Sequence, residues 1–278
     1  MKPLLLVVEN DSGTRRLLDV FLRRQELEVD PVATGSEALL LLERIDYAAV
    51  VLDLLIPGRT GRDVLDEIAA RRPELLARIV VISSATEAHL RDVRGSYPAV
   101  AALRKPFDLN ELLAHVQERV ARHVPARPPD AAQTFVRLSV TAGAKAGAIV
   151  RQVGQMLDLV TSFGHPPGAI ERYYPLSIDA QFPLCAVARH RRAVWISTLQ
   201  AGAAAEYPLL LPVWREHGSF AIAAVPLVAL DGVSGVAGWS FSEPRVFNEE
   251  ERARFIAIAE GAAELLGGSS TTASSRRA

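Results

Sequence analysis

Residues 48–61 read A-A-V-V-L-D-L-L-I-P-G-R-T-G, and this stretch decides the fold of the first half of the chain. A short apolar run, Ala48 to Leu52, ends on a single carboxylate, Asp53. A run this short, rich in valine and bounded by turn residues, predicts a strand buried on both faces. Pro57 and Gly58 force a loop, and Gly61 closes it before the next helix. Asp53 is thereby set at the carboxyl end of a parallel strand, the edge at which open α/β sheets place their chemistry. Taken alone, it could equally be a residue that ends a strand and caps a loop.

The flanking sequence repeats the pattern. Leu4 to Val8 predicts a second buried strand, ending on Glu9-Asn10-Asp11, with Asp11 or Ser12 capping a helix whose inner face carries Leu17, Leu18 and Phe21. A strand near Leu27 to Val32 follows, then a helix from Ser36 to Arg44 with Ser36 as its cap and Leu39 and Leu40 inward. Thr60 or Gly61 opens a helix through Ala70. Arg78 to Ser83 is a fourth strand, ending on Ser83-Ser84-Ala85, and Ala99 to Leu103 a fifth, ending on Lys105-Pro106-Phe107. Asp108, with Glu111 three residues on, opens the last helix of this half. Five strands alternating with helices predict a parallel sheet with right-handed crossovers.

In such a sheet the strand ends share one edge, so Glu9, Asn10, Asp53, Ser84 and Lys105 converge. Oxygen donors with few carboxylates suit Mg²⁺, which keeps several waters and bridges to phosphate. A lysine and a hydroxyl suit phosphoryl oxygens. Singly, each residue has a plain reading as a helix cap, a turn residue or a solvated lysine. Together, V-V-E-N-D, V-V-L-D-L-L-I-P-G-R-T-G, V-I-S-S-A and L-R-K-P-F, in this order and spacing, resemble the receiver domain of two-component response regulators over about residues 3–122. The resemblance implies a (βα)5 flavodoxin-like fold with Asp53 as phosphoacceptor. It implies metal ligands from Glu9, the Asn10 position, Asp53 and the backbone carbonyl of Leu55, and phosphoryl contacts from Ser84 and Lys105.

Two positions depart from the family. Asn10 stands where an acidic metal ligand is usual, so weaker Mg²⁺ binding and slower phosphorylation are expected. Asp11 is next door, with its side chain expected in the helix cap. Ala102 stands where the family carries a switching Tyr or Phe, three residues before the lysine. Val93 to Pro98 reads as a poor helix, and Tyr97 within it is not at the spacing of that aromatic.

Pro125, Pro128 and Pro129 predict an extended connection over Val124 to Ala132. Beyond it the texture changes. Ala146 to Val153 and Met156 to Phe163 read as a hairpin around Gly154-Gln155. Pro183 to Arg191 reads as a helix, Ala193 to Ser197 as a strand, and Tyr207 to His217 as a helix kinked at Pro212. Phe220 to Leu230 and Val236 to Phe241 flank a turn at Asp231 to Gly235. Asn248 opens a final helix with Glu249, Glu250 and Glu251 in its first turn and Phe255, Ala259, Ala262 and Leu266 on one face. This is an α+β pattern with an antiparallel sheet. The segments P-L-S-I-D-A-Q-F-P-L-C-A-V-A-R-H-R-R-A-V-W-I, A-A-V-P-L-V and F-N-E-E-E-R, with Y-P-L-L at Tyr207, resemble a GAF domain over about residues 140–266. The usual N-terminal helix is expected to be short or absent, because Pro129 stands close to the first strand. No cyclic-nucleotide signature is complete. Cys185 reads as a buried small residue rather than a bilin attachment point. Trp195, Trp214, Trp239, Tyr173 and Tyr207 read as core rather than pocket, and His165 and His190 lack metal-ligand spacing.

The 278 residues suit two domains, with 49% apolar content and a formal net charge of −1 that gives no broad nucleic-acid surface. A single cysteine excludes an intramolecular disulfide, and no signal peptide or membrane span is read, so a cytoplasmic protein is expected. The expected organisation is a receiver at 1–123, a Pro-rich linker at 124–132, a GAF-like sensory domain at 133–266 and a disordered tail at 267–278. The expected function is a response regulator phosphorylated on Asp53 by a sensor histidine kinase or phosphotransfer protein. Its GAF domain, whose ligand the sequence does not name, would be the sensory or protein-interaction output. The alternative is a phosphorylation-independent adaptor, favoured by Asn10 and Ala102. Motifs for an enzyme of its own are not read. Partners expected are the kinase, an output protein and a second copy of the chain, without nucleic acid or membrane.

Overall fold

A computed structural model describes residues 2–123, 130–166, 168–198, 201–208, 218, 220–229 and 234–266. The linker prolines, most of the stretch from Tyr207 to His217 with Trp214, the turn at 231–233 and the tail from Gly267 lie outside the described residues. The chain divides into two compact units, Met1–Pro129 and Asp130–Ala278.

In the first unit β1 (Leu4–Val8), α1 (Ser12–Arg23), β2 (Glu28–Val32), α2 (Gly35–Leu42), β3 (Ala49–Asp53), α3 (Gly61–Arg71), β4 (Ile79–Ser83), α4 (Glu87–Ser96), β5 (Ala101–Arg104) and α5 (Leu109–Arg122) alternate as expected. The strands form one parallel sheet in the order β2-β1-β3-β4-β5. This is the doubly wound, flavodoxin-like arrangement. Every residue of β3 and of β4 is buried, as helices on both faces require.

Three local readings differ from the sequence expectation. Thr34 rather than Ser36 caps α2: its hydroxyl accepts from Glu37 N, and Glu37 returns the bond to the Thr34 N–H. The buried stripe of α2 is accordingly Ala38, Leu41 and Leu42. On α1 the inward residues are Leu18 and Leu22, and Leu17 is exposed. The segment expected to be a poor helix is the second half of α4. Thr86 caps that helix, and Leu90 and Val93 are buried beneath it. Burying two such side chains is worth about 1.5–3 kcal/mol each, more than the roughly 1 kcal/mol that Gly95 costs.

The second unit contains α6 (Ala131–Thr141), β6 (Ala146–Val153), β7 (Met156–Phe163), β8 (Leu176–Ser177), α7 (Pro183–His190), β9 (Val194–Ile196), α8 (Ala201–Glu206), β10 (Ala221–Val228), β11 (Ser234–Phe241) and α9 (Glu249–Gly261). Its sheet is antiparallel, in the order β8-β7-β6-β11-β10-β9. The hairpin, α7, β9 and the inward face of α9 match the sequence reading. The N-terminal helix does not: α6 has 11 residues and is opened by a capping box between Asp130 and Gln133. Pro129 precedes that cap, where a proline does not oppose a helix. α8 ends before Tyr207, whose side chain is buried, and the helix expected from Tyr207 to His217 lies mostly outside the described residues.

The two faces of this sheet are built differently. On one, Trp239 packs against Phe135 of α6 and Phe255 of α9, and its indole N–H donates to Ser139 Oγ at 2.8 Å. The other face is narrow-sided at two successive rungs. Ala148 pairs with Gly238 and Gly238 with Ala224; Ala146 pairs with Ser240 and Ser240 with Ile222. Cys185 is buried on this side, its thiol donating to Ser177 O and pushed up to about 11 by burial.

Candidate functional site

Asp53 is the last residue of β3, Glu9 follows β1, and Lys105 follows β5. β1 and β3 are hydrogen-bonded neighbours, so the two carboxylates start side by side. Lys105 belongs farther along the sheet, and its backbone N–H is fastened to Ser83 O at 2.8 Å. Its long stem carries the ammonium back across β4. The Nζ lies 2.7 Å from Asp53 Oδ2 and 2.6 Å from Glu9 Oε2.

Both carboxylates are nearly sealed from solvent, Glu9 at 1% and Asp53 at 4% exposure. Each also accepts from the backbone that follows it: Asp53 Oδ1 from Leu55 N at 2.9 Å, Glu9 Oε1 from Asp11 N at 3.1 Å. Burial alone would lower the Lys105 pKa, but hydrogen bonds to Asp53 and Glu9 outweigh it and leave it raised. Two buried carboxylates against one ammonium leave one negative charge uncompensated. That surplus, presented by hard oxygen donors, fits a divalent ion such as Mg²⁺, which needs only one or two carboxylates and retains water.

The loop after β3 is held close by Gly61. Its N–H donates to Leu54 O at 3.0 Å, and a Cβ there would meet Asp53 O at 2.4 Å and Leu54 Cα at 2.6 Å. Gly58 turns the chain with φ +74°.

The other expected site residues stand differently. Asn10 is exposed, and its backbone oxygen accepts from Arg15 Nη1 at 3.0 Å. Asp11 points into the helix cap, its Oδ1 accepting from Thr14 N at 2.7 Å. Leu55 lies on the loop directly after Asp53, with its N–H on the Asp53 carboxylate. Ser84 lies one residue beyond β4 and is exposed, and it makes no hydrogen bond to Asp53 or Lys105 among the described residues. The buried serine beside it, Ser83, accepts from Ala85 N at 3.2 Å. Arg15 was not singled out from the sequence. Its guanidinium also binds Glu9 O at 2.7 Å and so ties the β1–α1 loop to the first turn of α1. An arginine one turn into the helix after an acidic strand end is the signal that would have found it.

Ala102 carries no ring, and its carbonyl accepts from Arg94 Nη2 at 2.9 Å. Tyr97 serves another purpose. Its hydroxyl donates to Asp66 of α3, and Arg62 lies over its ring, 5.1 Å from the centroid, while bonding Asp92 and Ser96 of α4. Burial, then the Asp66 bond, push that phenol up to about 12.

Residues 5–117 match the family model of the response regulator receiver domain. The transcriptional regulatory protein TcrA of Mycobacterium tuberculosis (strain ATCC 25618 / H37Rv) is 32% identical over 125 residues, covering 45% of this chain and 49% of TcrA. The transcriptional regulatory protein PdtaR of the same strain is 31% identical over 118 residues, covering 42% of this chain and 56% of PdtaR. The chain thus spans about half the length of these curated relatives. Among solved structures, the response regulator protein TrrA of Thermotoga maritima, in complex with Mg(2+)-BeF, is 29% identical over 43% of this chain and 99% of its own, with a TM-score of 0.38. Among the described residues no helix is long and apolar enough to cross a membrane.

Proposed function

We propose, from the premise that the first unit is a response regulator receiver domain, that this chain is a two-component response regulator phosphorylated on Asp53. The observation that carries the proposal is the Lys105 ammonium, which sits between two buried carboxylates at the carboxyl edge of a parallel sheet. An Asp53 oxygen attacks the phosphorus of a phosphohistidine or small phosphodonor. The bond to the leaving nitrogen or oxygen breaks, and the PO₃ group moves to the carboxylate with roughly two negative charges. Glu9, Asp53 and the Leu55 carbonyl are the groups that would hold Mg²⁺, which supplies countercharge to the transferring oxygens. Asn10 adds an oxygen donor without charge. Lys105 follows the new phosphoryl group as a charge-assisted donor, and Ser84 reaches it by a change of rotamer.

The second unit is read as a GAF-like sensory or interaction domain. Its antiparallel sheet with helices on both faces, and the cavity on one of those faces, support that reading. Both curated relatives are named as transcriptional regulators; for this chain the output is assigned to the second unit and its partner protein.

A second reading, a receiver-shaped adaptor that takes no phosphate, is favoured by Ala102, by the uncharged Asn10 and by the exposed Ser84. One experiment separates the two. Incubation with Mg²⁺ and acetyl phosphate should add one phosphoryl mass to the chain, and Asp53→Ala should lose it. No mass gain, with partner binding unchanged in Asp53→Ala, establishes the adaptor. Asn10→Asp should raise the apparent Mg²⁺ affinity, since it restores a full charge at the rim.

A further inference from the structure

The face of the second sheet turned toward α7 carries a feature that neither the receiver match nor the fold assigns. The rungs Ala148–Gly238–Ala224 and Ala146–Ser240–Ile222 cross three strands with five small residues out of six. The rung before them, Val150–Val236, is built of larger side chains and is closed by packing. Sheet faces under a helix ordinarily fill with large apolar side chains, because a void forfeits dispersion contacts. Leu184 of α7 comes down onto Gly238, where an added Cβ would meet its Cδ2 at 2.7 Å. Around that contact a cavity of ≈ 130 Å³ stays open, lined by Ala146, Ala148, Ala224 and Ser240 of the sheet and by Tyr173, Tyr174, Phe182 and Leu184.

Size and lining define what fits. A cavity of about 150 Å³ lined by aliphatic and aromatic side chains stays dry and takes up benzene. No Asp, Glu, Lys or Arg lines this one among the described residues; the titratable groups facing it are His165, Tyr173 and Tyr174. A phosphate or carboxylate would meet no lysine or arginine among the described lining residues, which disfavours nucleotides and organic acids. The Tyr173 hydroxyl accepts from Arg172 Nη2 at 3.3 Å. The Tyr174 hydroxyl makes no hydrogen bond among the described residues. Burial raises its pKa, so at neutral pH it is a protonated donor.

We propose that this cavity binds a small uncharged molecule of one ring carrying a single hydrogen-bond acceptor, with the ring on the small-residue floor and Tyr174 donating to the acceptor. The proposal gives the sensory reading of the second unit its ligand class and rests on that reading for its purpose, though not for its test. Titration calorimetry of the full chain should show saturable one-to-one binding of phenol, binding of benzene about tenfold weaker, and no binding of benzoate. Ala148→Leu, which fills the floor, should abolish phenol binding, and Ala224→Val is the milder filling variant should the first fail to fold. Tyr174→Phe should reduce phenol to the affinity of benzene and leave benzene unchanged within twofold. Absence of saturable binding by either neutral ring, benzoate binding equal to phenol, or phenol binding unaltered in a folded filling variant overturns the proposal. Phenol binding that leaves the rate of Asp53 phosphorylation unchanged upholds the site and removes only the sensory reading.

Discussion

Replacing Lys105 by methionine keeps most of the stem and removes the charge that holds the first unit's site together. Its Nζ contacts Glu9 Oε2 and Asp53 Oδ2 at once, at 2.6 and 2.7 Å. The two oxygens can therefore be no farther apart than those contacts laid end to end. Two carboxylates about 5 Å apart repel by about 3 kcal/mol at an effective dielectric near 20. Breaking a buried pair by removing one partner costs a similar roughly 3–5 kcal/mol. Lys105→Met should therefore lose about 3 kcal/mol at pH 8, read by urea unfolding followed by far-UV circular dichroism. All three tryptophans belong to the second half of the chain, so their fluorescence follows the other unit separately. The pH dependence tests the cause. In the variant one carboxylate's folded pKa rises above its unfolded value, so the native state binds the extra proton. The deficit against wild type should then shrink as pH falls toward 4 and grow as pH rises through that folded pKa. Adding Asp53→Asn to Lys105→Met should recover most of the loss at pH 8. A variant as stable as wild type at pH 8, or a deficit that deepens on acidification, refutes the electrostatic account.

Gly61→Ala should destabilise the first unit by about 1–3 kcal/mol and slow Asp53 phosphorylation, because its Cβ meets backbone rather than a movable side chain; unfolding and phosphorylation rates measured together check this. Ser139→Ala leaves the buried Trp239 indole without its acceptor and should cost the second unit about 1–3 kcal/mol, seen in the tryptophan-detected urea midpoint. His123 is a buried side chain whose pKa is lowered by burial, against the nearby Asp46 carboxylate. Its unfolded state binds the proton more tightly, so this contribution to stability is present above about pH 6.5 and is lost as pH falls through the depressed folded pKa. His123→Asn should flatten the thermal-stability profile of the first unit between pH 7.5 and 5.

The strands of the parallel sheet and the residues that follow them at its edge were written in the local sequence, whereas the order β2-β1-β3-β4-β5 is a property of the fold. Each strand is a short apolar run closed by turn residues, and a parallel sheet buried on both faces leaves only one way to read Leu4–Val8, Ala49–Asp53 and Ile79–Ser83. The chemistry at the strand ends was legible for the same reason, since the edge collects whatever follows each run. Helix starts were less so. Thr34 and Asp130 cap helices by reciprocal bonds to Glu37 and Gln133, and a proline before the cap at Asp130 masked the second of them. Val93 to Ser96 looked unsuited to a helix because propensity is local, whereas burial of Leu90 and Val93 is not.

Three things were decided only in three dimensions. One is that a single ammonium serves Glu9 and Asp53 together, which depends on a stem crossing β4. Another is that Ser84 faces solvent while Ser83 is enclosed, a matter of one residue at a strand end. The last is the cavity. Ala148, Gly238 and Ala224 are scattered along the chain as unremarked small residues, and only the pairing of β6 with β11 and β11 with β10 sets them on one rung. Sequence periodicity tells which face of its own strand a residue occupies, but register across strands is set by the packing of the whole sheet.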